Sequence, residues 1–225
     1  MTASLTRRLG YVFENPKLLE TALTHRSVTK HNNERLEFLG DSILNCIVSD
    51  LLYRARPQAT EGDLSRLRAR LVREETLADV ARTLVLEDHL RLGEGELKSG
   101  GFRRASILAD AFEAILAAVY LDGGFAAAFK VVEQLFTPLL NQLPAAEALK
   151  DAKTRLQEWL QARGEPLPSY ELLEQSGPDH QRKFRVSCVA GQGKKAWQAT
   201  GTSRRRAEQA AAEAALTALS QSGTS

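Results

Sequence analysis

Apolar residues recur at helical spacing through the first two-thirds of the chain. After Asn15-Pro16, the positions Leu18, Leu19, Ala22 and Leu23 predict a helix. A second helix is expected from about Glu34 to Arg54, with Asn32 and Asn33 as candidate caps. It carries Leu36, Leu39, Ile43, Leu44 and Ile47, with Phe38 on a further face, and reads as largely buried. Glu61 to Val85 reads as further helix, with Leu64, Leu67, Leu71 and Val72 apolar. A Gly-rich basic loop follows, from Gly93 through Lys98, Arg103 and Arg104. Beyond it, Ala105 to Leu121 is helical and is stopped by Asp122-Gly123-Gly124, and a last helix is expected over Phe125 to Leu143.

The rhythm changes after an Ala-rich stretch behind Pro144. Lys153 to Arg163 is helical, burying Leu156, Trp159 and Leu160. Ser169 to Gln175 is extended. Phe184, Val186, Cys188 and Ala190 then alternate with Arg185, Ser187 and Val189, which is the period of a strand. Gly191-Gln192-Gly193 reads as a hairpin turn, Lys195 to Thr200 as a third strand and Ser203 to Ser220 as an Ala-rich helix. The fold class expected is an all-α domain over residues 1–144, a linker at 145–150 and a small α+β domain of order α-β-β-β-α over 151–221.

Composition sharpens this. The chain has 225 residues and a formal net charge of only +2, so bulk charge announces no polyanion binder. Its distribution says more: residues 1–150 sum to −1 and residues 151–225 to +3, so the C-terminal piece is the basic one. The two cysteines, Cys46 and Cys188, fall in separate segments and support neither a disulfide framework nor a cysteine zinc site; both read as small buried apolar residues. The N-terminus lacks an apolar signal core, and no later segment reads as long and apolar enough to span a bilayer. A cytoplasmic protein without a membrane partner is the expectation.

The candidate chemistry lies in carboxylates. Glu34, Glu37 and Asp41 are spaced by three and four, on one face of an otherwise apolar helix. Asp110 and Glu113 repeat the arrangement within Ile107-Leu108-Ala109-Asp110-Ala111-Phe112-Glu113. Half-buried acids are costly unless paired or bound to a cation. Two such helices packed together would gather four of them, and oxygen-only ligands suit Mg²⁺, with Mn²⁺ expected to substitute. Any single acid could instead be an ordinary ion pair, Arg26 and Arg35 being near Glu34 in sequence. His25 and His31 have no partners at metal spacing and read as structural or surface residues.

The run Asn33-Glu34-Arg35-Leu36-Glu37-Phe38-Leu39-Gly40-Asp41-Ser42 resembles the signature of the bacterial ribonuclease III family. Thr24-His25-Arg26-Ser27, Glu61-Gly62-Asp63-Leu64-Ser65, Lys98 to Arg104 and Ile107 to Ala114 support the resemblance, which covers nearly the whole chain. It implies a metal-dependent endonuclease for double-stranded RNA, acting as a homodimer and leaving staggered ends with 5′-phosphate and 3′-hydroxyl. It implies a metal site at Glu37, Asp41, Asp110 and Glu113, with Asp41 and Glu113 most directly catalytic. Glu34 and Glu61 match further acidic positions whose role stays open. Processing of ribosomal and messenger RNA precursors is the cellular role implied.

The C-terminal unit resembles the double-stranded-RNA-binding domain. Thr154, Gln157 and Glu158 on its first helix are placed to meet 2′-hydroxyls of a minor groove, and His180 lies in the loop expected to reach a second groove. Ser203, Arg204, Arg205 and Arg206 set cations at a helix N-terminus, where the dipole disfavours them unless phosphates complete the site. Glu208 stands where many such domains carry another basic residue, which predicts modest affinity. Lys98, Arg103 and Arg104 are expected to guide an RNA backbone to the acids. Two alternatives remain: a duplex-RNA-binding protein without catalysis, and a hydrolase of a smaller phosphoester.

Overall fold

The computed structural model describes residues 2–143, 150–178, 181–191 and 195–222. The chain divides into two compact units, residues 1–146 and 147–225. The first is helical: α1 (Thr2–Leu9), α2 (Pro16–Ala22), α3 (Glu34–Ala55), α4 (Glu61–Leu71), α5 (Glu74–Thr83), α6 (Glu94–Lys98) and α7 (Ala105–Asn141).

The packed pair α3 and α7 is the centre of this unit. Ile43, Leu44, Ile47, Val48 and Leu52 of α3 are buried, as are Ile107, Leu108, Ala111, Phe112, Ile115 and Val119 of α7. Phe112 also meets Phe136, further along α7, with ring centroids 6.1 Å apart. The two helices touch at Gly40, where a Cβ would overlap the backbone carbonyl oxygen of Glu113. A glycine costs about 1 kcal/mol in a helix interior relative to alanine. Here its missing side chain is what lets two acid-bearing helices approach.

Several local expectations are corrected. The helix expected over Glu61 to Val85 is two, α4 and α5, because Arg73 is extended (ψ 153). Glu74 and Glu75 then open α5 as a favourable acidic first turn, a start signal present in the sequence. The basic loop contains the short α6 and a 3-10 turn at Gly101–Arg103. The break expected at Asp122-Gly123-Gly124 is present: α7 is two helical stretches joined across a kink at Gly124, which leaves helical geometry (φ 77). Taken as one element, α7 is by length and composition long and apolar enough to cross a membrane, where no such segment was expected; it carries Asp110 and Glu113 and buries its apolar side against α2, α3 and α5. Residues 2–9, for which no element was expected, form α1 and bury Leu5 and Leu9 completely. Cys46 is exposed rather than buried, and Phe38 stands 79% exposed on α3. The cap of α3 comes from Asn32, whose Oδ1 accepts from the Glu34 amide at 3.0 Å; Asn33 gives no side-chain cap.

The second unit is α8 (Ala152–Gln161), an antiparallel sheet of β1 (Ser169–Ser176), β2 (Lys183–Ala190) and β3 (Lys195–Gly201), and α9 (Arg204–Ser222). β2 is central. Tyr170 lies opposite Cys188 and Cys188 opposite Trp197, with a register shift between Leu172 and Glu174. Leu156, Leu160, Cys188, Ala211, Ala212 and Ala215 form the core, against which Trp159, Tyr170 and Trp197 pack. The alanines let α9 lie close over the sheet. Gln192 and Gly193 of the expected hairpin turn, and residues 145–149 of the expected linker, lie outside the described residues.

Candidate active site and RNA-binding surface

The approach at Gly40 brings Glu37, Asp110 and Glu113 together: one carboxylate oxygen from each lies within 4.8 Å of the others. All three are half-buried. Burial is the main force raising the pKa of Glu113, followed by the charges of Asp41, Asp110 and Glu37, which together push it to about 8. Burial likewise raises Glu37, with Asp110 the next contributor, and raises Asp110, where Glu74 is next. Glu74 is thus an acid near the cluster that sequence spacing did not single out; it sits on a different helix from the others.

Asp41 stands one turn beyond Glu37 on α3. It is exposed, and its Oδ1 accepts a hydrogen bond from Asn45 Nδ2 at 2.8 Å. Its charge is the largest Coulombic contribution raising Glu113. Asn45, four residues on, offers a partner that relieves repulsion among like charges. The structure therefore gathers three of the four expected acids and keeps the fourth next to them.

This donor set fits a hard divalent cation. It offers three converging oxygen ligands, no nitrogen or sulfur, and charges costly to keep apart from a counterion. Glu37 and Asp110 of the cluster face a polar cavity of about 270 Å³, lined also by Arg26, Glu34, Glu96 and Arg104 among others. Glu34 pairs with Arg26 at 3.4 Å, and Glu96 with Arg104 at 3.3 Å. Lys98 and Arg103 are exposed; Lys98 lies 3.7 Å from Glu94, and the Arg103 guanidinium lies 5.1 Å from the centre of the Phe102 ring. Glu61 is elsewhere. It opens α4, accepts from Ser65 Oγ at 2.7 Å and lines a separate cavity with Asp50 and Tyr53.

In the second unit, Thr154 and Gln157 lie on α8, Gln157 exposed. Asp151 caps that helix by accepting from the Thr154 amide at 2.9 Å. Glu158 is exposed and paired with Lys150 at 2.7 Å. Ser203 Oγ accepts from the Arg206 amide at 3.2 Å and so opens α9, with Arg204, Arg205 and Arg206 all exposed. His180 lies outside the described residues. Glu208 bonds both Lys153 at 2.7 Å and Arg204 at 3.0 Å, and Lys153 holds its carboxyl below the usual range. Its acidity is thus used as a cross-link between α8 and α9, a role that sequence position alone did not reveal.

Residues 15–140 match the family model described as Ribonuclease-III-like. The chain belongs to the ribonuclease III family. Residues 152–219 match the model of the double-stranded RNA binding motif. Ribonuclease 3 of Nitrosococcus oceani is 57% identical over 217 residues, spanning 96% of this chain and 93% of that protein. Ribonuclease 3 of Thiobacillus denitrificans is 55% identical over 219 residues, spanning 97% of each. The solved nuclease domain of ribonuclease III from Campylobacter jejuni is similar at 42% identity and a TM-score of 0.60, covering 61% of this chain and 97% of that one. As a member of the ribonuclease III family, the chain is an endoribonuclease specific for double-stranded RNA, with its own RNA-binding unit.

Proposed function

We propose that the chain is a homodimeric, Mg²⁺-dependent nuclease of duplex RNA that leaves staggered ends with 5′-phosphate and 3′-hydroxyl. The carboxylate cluster of Glu37, Asp110 and Glu113, set by the close approach of α3 and α7, carries this reading. Glu37, Asp110 and Glu113 would hold the cation, with Asp41 beside them as a fourth ligand. A bound Mg²⁺ supplies charge neutralisation and an activated water at the phosphodiester; Mn²⁺ has the same preference for oxygen ligands. Glu113 acts beside the reacting phosphate, and its buried proton has to leave before the site is charged for binding. Arg104, Lys98 and Arg103 line the approach and meet the RNA backbone. Thr154, Gln157, Glu158, His180, Ser203, Arg204, Arg205 and Arg206 are the residues proposed to contact the duplex, which is recognised by its shape. Residues 1–144 form the nuclease part and 151–221 the RNA-binding part, joined by 145–150.

Two observations support a dimer. The Campylobacter jejuni structure is described by a region involved in dimer formation. On this chain, Phe38 is 79% exposed on α3, and a cavity of mixed character lined by Leu18, Leu36, Leu39 and Leu121 together with Lys30, His31, Glu34 and Arg35 adjoins the same helix. A large exposed apolar side chain on the helix that carries the acids suits a second copy. Two clusters facing one duplex would cut both strands. A cytoplasmic role in maturing ribosomal and messenger RNA precursors is the one that membership of the family implies.

The test is cleavage of a long duplex RNA with Mg²⁺ or with chelator. Cutting only with the metal, blocked by duplex competitor and not by mononucleotide, is expected. Binding without cutting under every divalent metal would leave a binding protein instead.

The raised pKa of Glu113 gives a second expectation. Its folded value, about 8, exceeds the ordinary 4.5, so the folded protein holds more protons between those values. That contribution to stability is complete below 4.5 and is lost as pH rises through about 8. Metal binding must displace the same proton, so affinity for Mg²⁺ rises over this range. The melting temperature should therefore gain more from Mg²⁺ at pH 8.5 than at pH 6, and much less so in Glu113→Gln. Equal gains at both pH values would contradict the assignment.

A further inference from the structure

Arg26 is not among the acids, nor in the basic loop, yet it lines the cavity beside the cluster. Its backbone is fixed on both sides. Thr24 and His25 are buried, the His25 amide donates to Arg91 O at 3.0 Å, and the Asn33 amide donates to Thr24 O at 2.9 Å. On the other flank Ser27 Oγ lies 2.8 Å from His25 Nδ1 and accepts from the Gly93 amide at 2.8 Å. Gly93 admits this contact, because a Cβ there would lie 2.5 Å from the Ser27 carbonyl oxygen. The segment is thus tied to the start of α3 and to the chain before α6, while the Arg26 side chain stays 70% exposed.

The partner of Arg26 is Glu34, at 3.4 Å and itself 53% exposed. An exposed pair of this length contributes little in water and exchanges readily. The guanidinium nevertheless lies near enough to Glu37 and Asp110 for its charge to offset part of the rise that burial imposes on both. Across the same cavity Arg104 is tethered to Glu96 in the same manner, at 3.3 Å. A rigid backbone, a loosely tethered side chain and a position beside the cluster describe a group held ready for an anion. Arginine's planar fork matches phosphate oxygens two at a time.

We infer that Arg26 binds a backbone phosphate of the strand being cut, next to the scissile one, and that Glu34 is a positioning residue that holds Arg26 over the cavity until RNA displaces it. The inference rests on the carboxylate cluster being the cutting site. It gives Glu34, whose purpose sequence matching left open, a specific one.

The experiment uses the full chain. Single-turnover cleavage of a long duplex is compared for wild type, Arg26→Gln, Arg26→Lys, Glu34→Gln and the Arg26→Gln/Glu34→Gln pair. Duplex affinity is measured against salt with Mg²⁺ for Glu113→Gln and for Glu113→Gln/Arg26→Gln. Circular dichroism and melting confirm that each variant is folded. Loss of a charge-assisted phosphate contact lowers cleavage about tenfold to hundredfold in Arg26→Gln, and lowers the slope of log affinity against log salt by about one. Arg26→Lys keeps the slope and recovers only part of the rate, because a point charge replaces the fork. Glu34→Gln slows cutting less than Arg26→Gln, and adding it to Arg26→Gln has no further effect. An unchanged slope, or an unchanged rate, in the Arg26→Gln variants overturns the inference, as does an additive double variant. Cutting by Glu113→Gln itself would instead count against the cluster, and the salt slope still reads the Arg26 contact separately.

Discussion

Glu113→Gln is expected to give a folded protein that binds duplex RNA like wild type and cuts it about a thousandfold more slowly or worse. The reasoning starts from the environment of the side chain. Glu113 is the acid most strongly perturbed toward its protonated form, and it lies with Glu37 and Asp110 inside a 4.8 Å group. The amide is nearly isosteric, so the packing of α7 on α3 survives. Removing one carboxylate also removes a source of repulsion, so the metal-free variant should melt at or slightly above the wild-type temperature near pH 8. What it loses is a charged ligand for the cation. Lewis-acid stabilisation is worth several kcal/mol, and each 1.36 kcal/mol is about a factor of ten in rate. Duplex affinity depends mainly on the RNA-binding unit and should move little. A gel-shift titration and single-turnover cleavage on the same preparation check both halves. Cleavage within tenfold of wild type would show that the cluster is not the cutting site.

Gly40→Ala should be the most damaging single methyl group in the helical unit. The new Cβ would collide with the carbonyl oxygen of Glu113, a backbone atom that cannot turn aside. Overpacking of this kind costs about 3 kcal/mol, against a gain of about 1 kcal/mol in helix propensity. At about 2–4 °C per kcal/mol for a chain of this size, the melting temperature should fall by several degrees. Cutting should fall further than stability explains. The helices must part to admit the methyl, and that separates Glu37 from Asp110 and Glu113; a displacement of about 1 Å can cost about a hundredfold. Thermal melting and cleavage assayed well below the transition separate the two effects. A variant that melts and cuts like wild type would show that the contact at Gly40 does not set the site.

These two residues differ in how openly the sequence declared them. Glu113 was legible because a carboxylate three residues from Asp110 on an apolar helix conflicts with burial, and such conflicts need a reason. Gly40 carried no chemistry of its own; only its presence inside a helical run hinted at a close approach. The strands β1 to β3 were read to within a residue or two, since period-two alternation is a local property. The bulge between Leu172 and Glu174 was not, because register depends on the neighbouring strand. The same distinction explains the misreadings. The break at Arg73 was signalled only by the acidic pair Glu74-Glu75 that follows it, while the exposure of Phe38 and Cys46 is decided by what packs beside them. Glu208 looked like a missing positive charge until Lys153, distant in sequence, appeared at 2.7 Å. Arg26 looked like an ordinary partner for a neighbouring acid, and its importance emerges only from the cavity it lines.

The kink in α7 sets the limits of what can fold alone. At that bend Asp122 accepts from the Tyr11 hydroxyl and from the amides of Glu14 and Asn15, at 2.8, 2.8 and 2.9 Å. Ahead of it, Leu5 and Leu9 of α1 are wholly buried, and Arg8 reaches the carbonyl of Thr83 at 3.2 Å. The span matched by the nuclease family model begins only at residue 15. A fragment trimmed to that span would keep every acid of the cluster, yet would uncover the apolar surface beneath two leucines and strip Asp122 of two of its three donors. The cooperative unit is therefore longer than the recognisable one, and the first fourteen residues belong to the nuclease as much as its signature helix does.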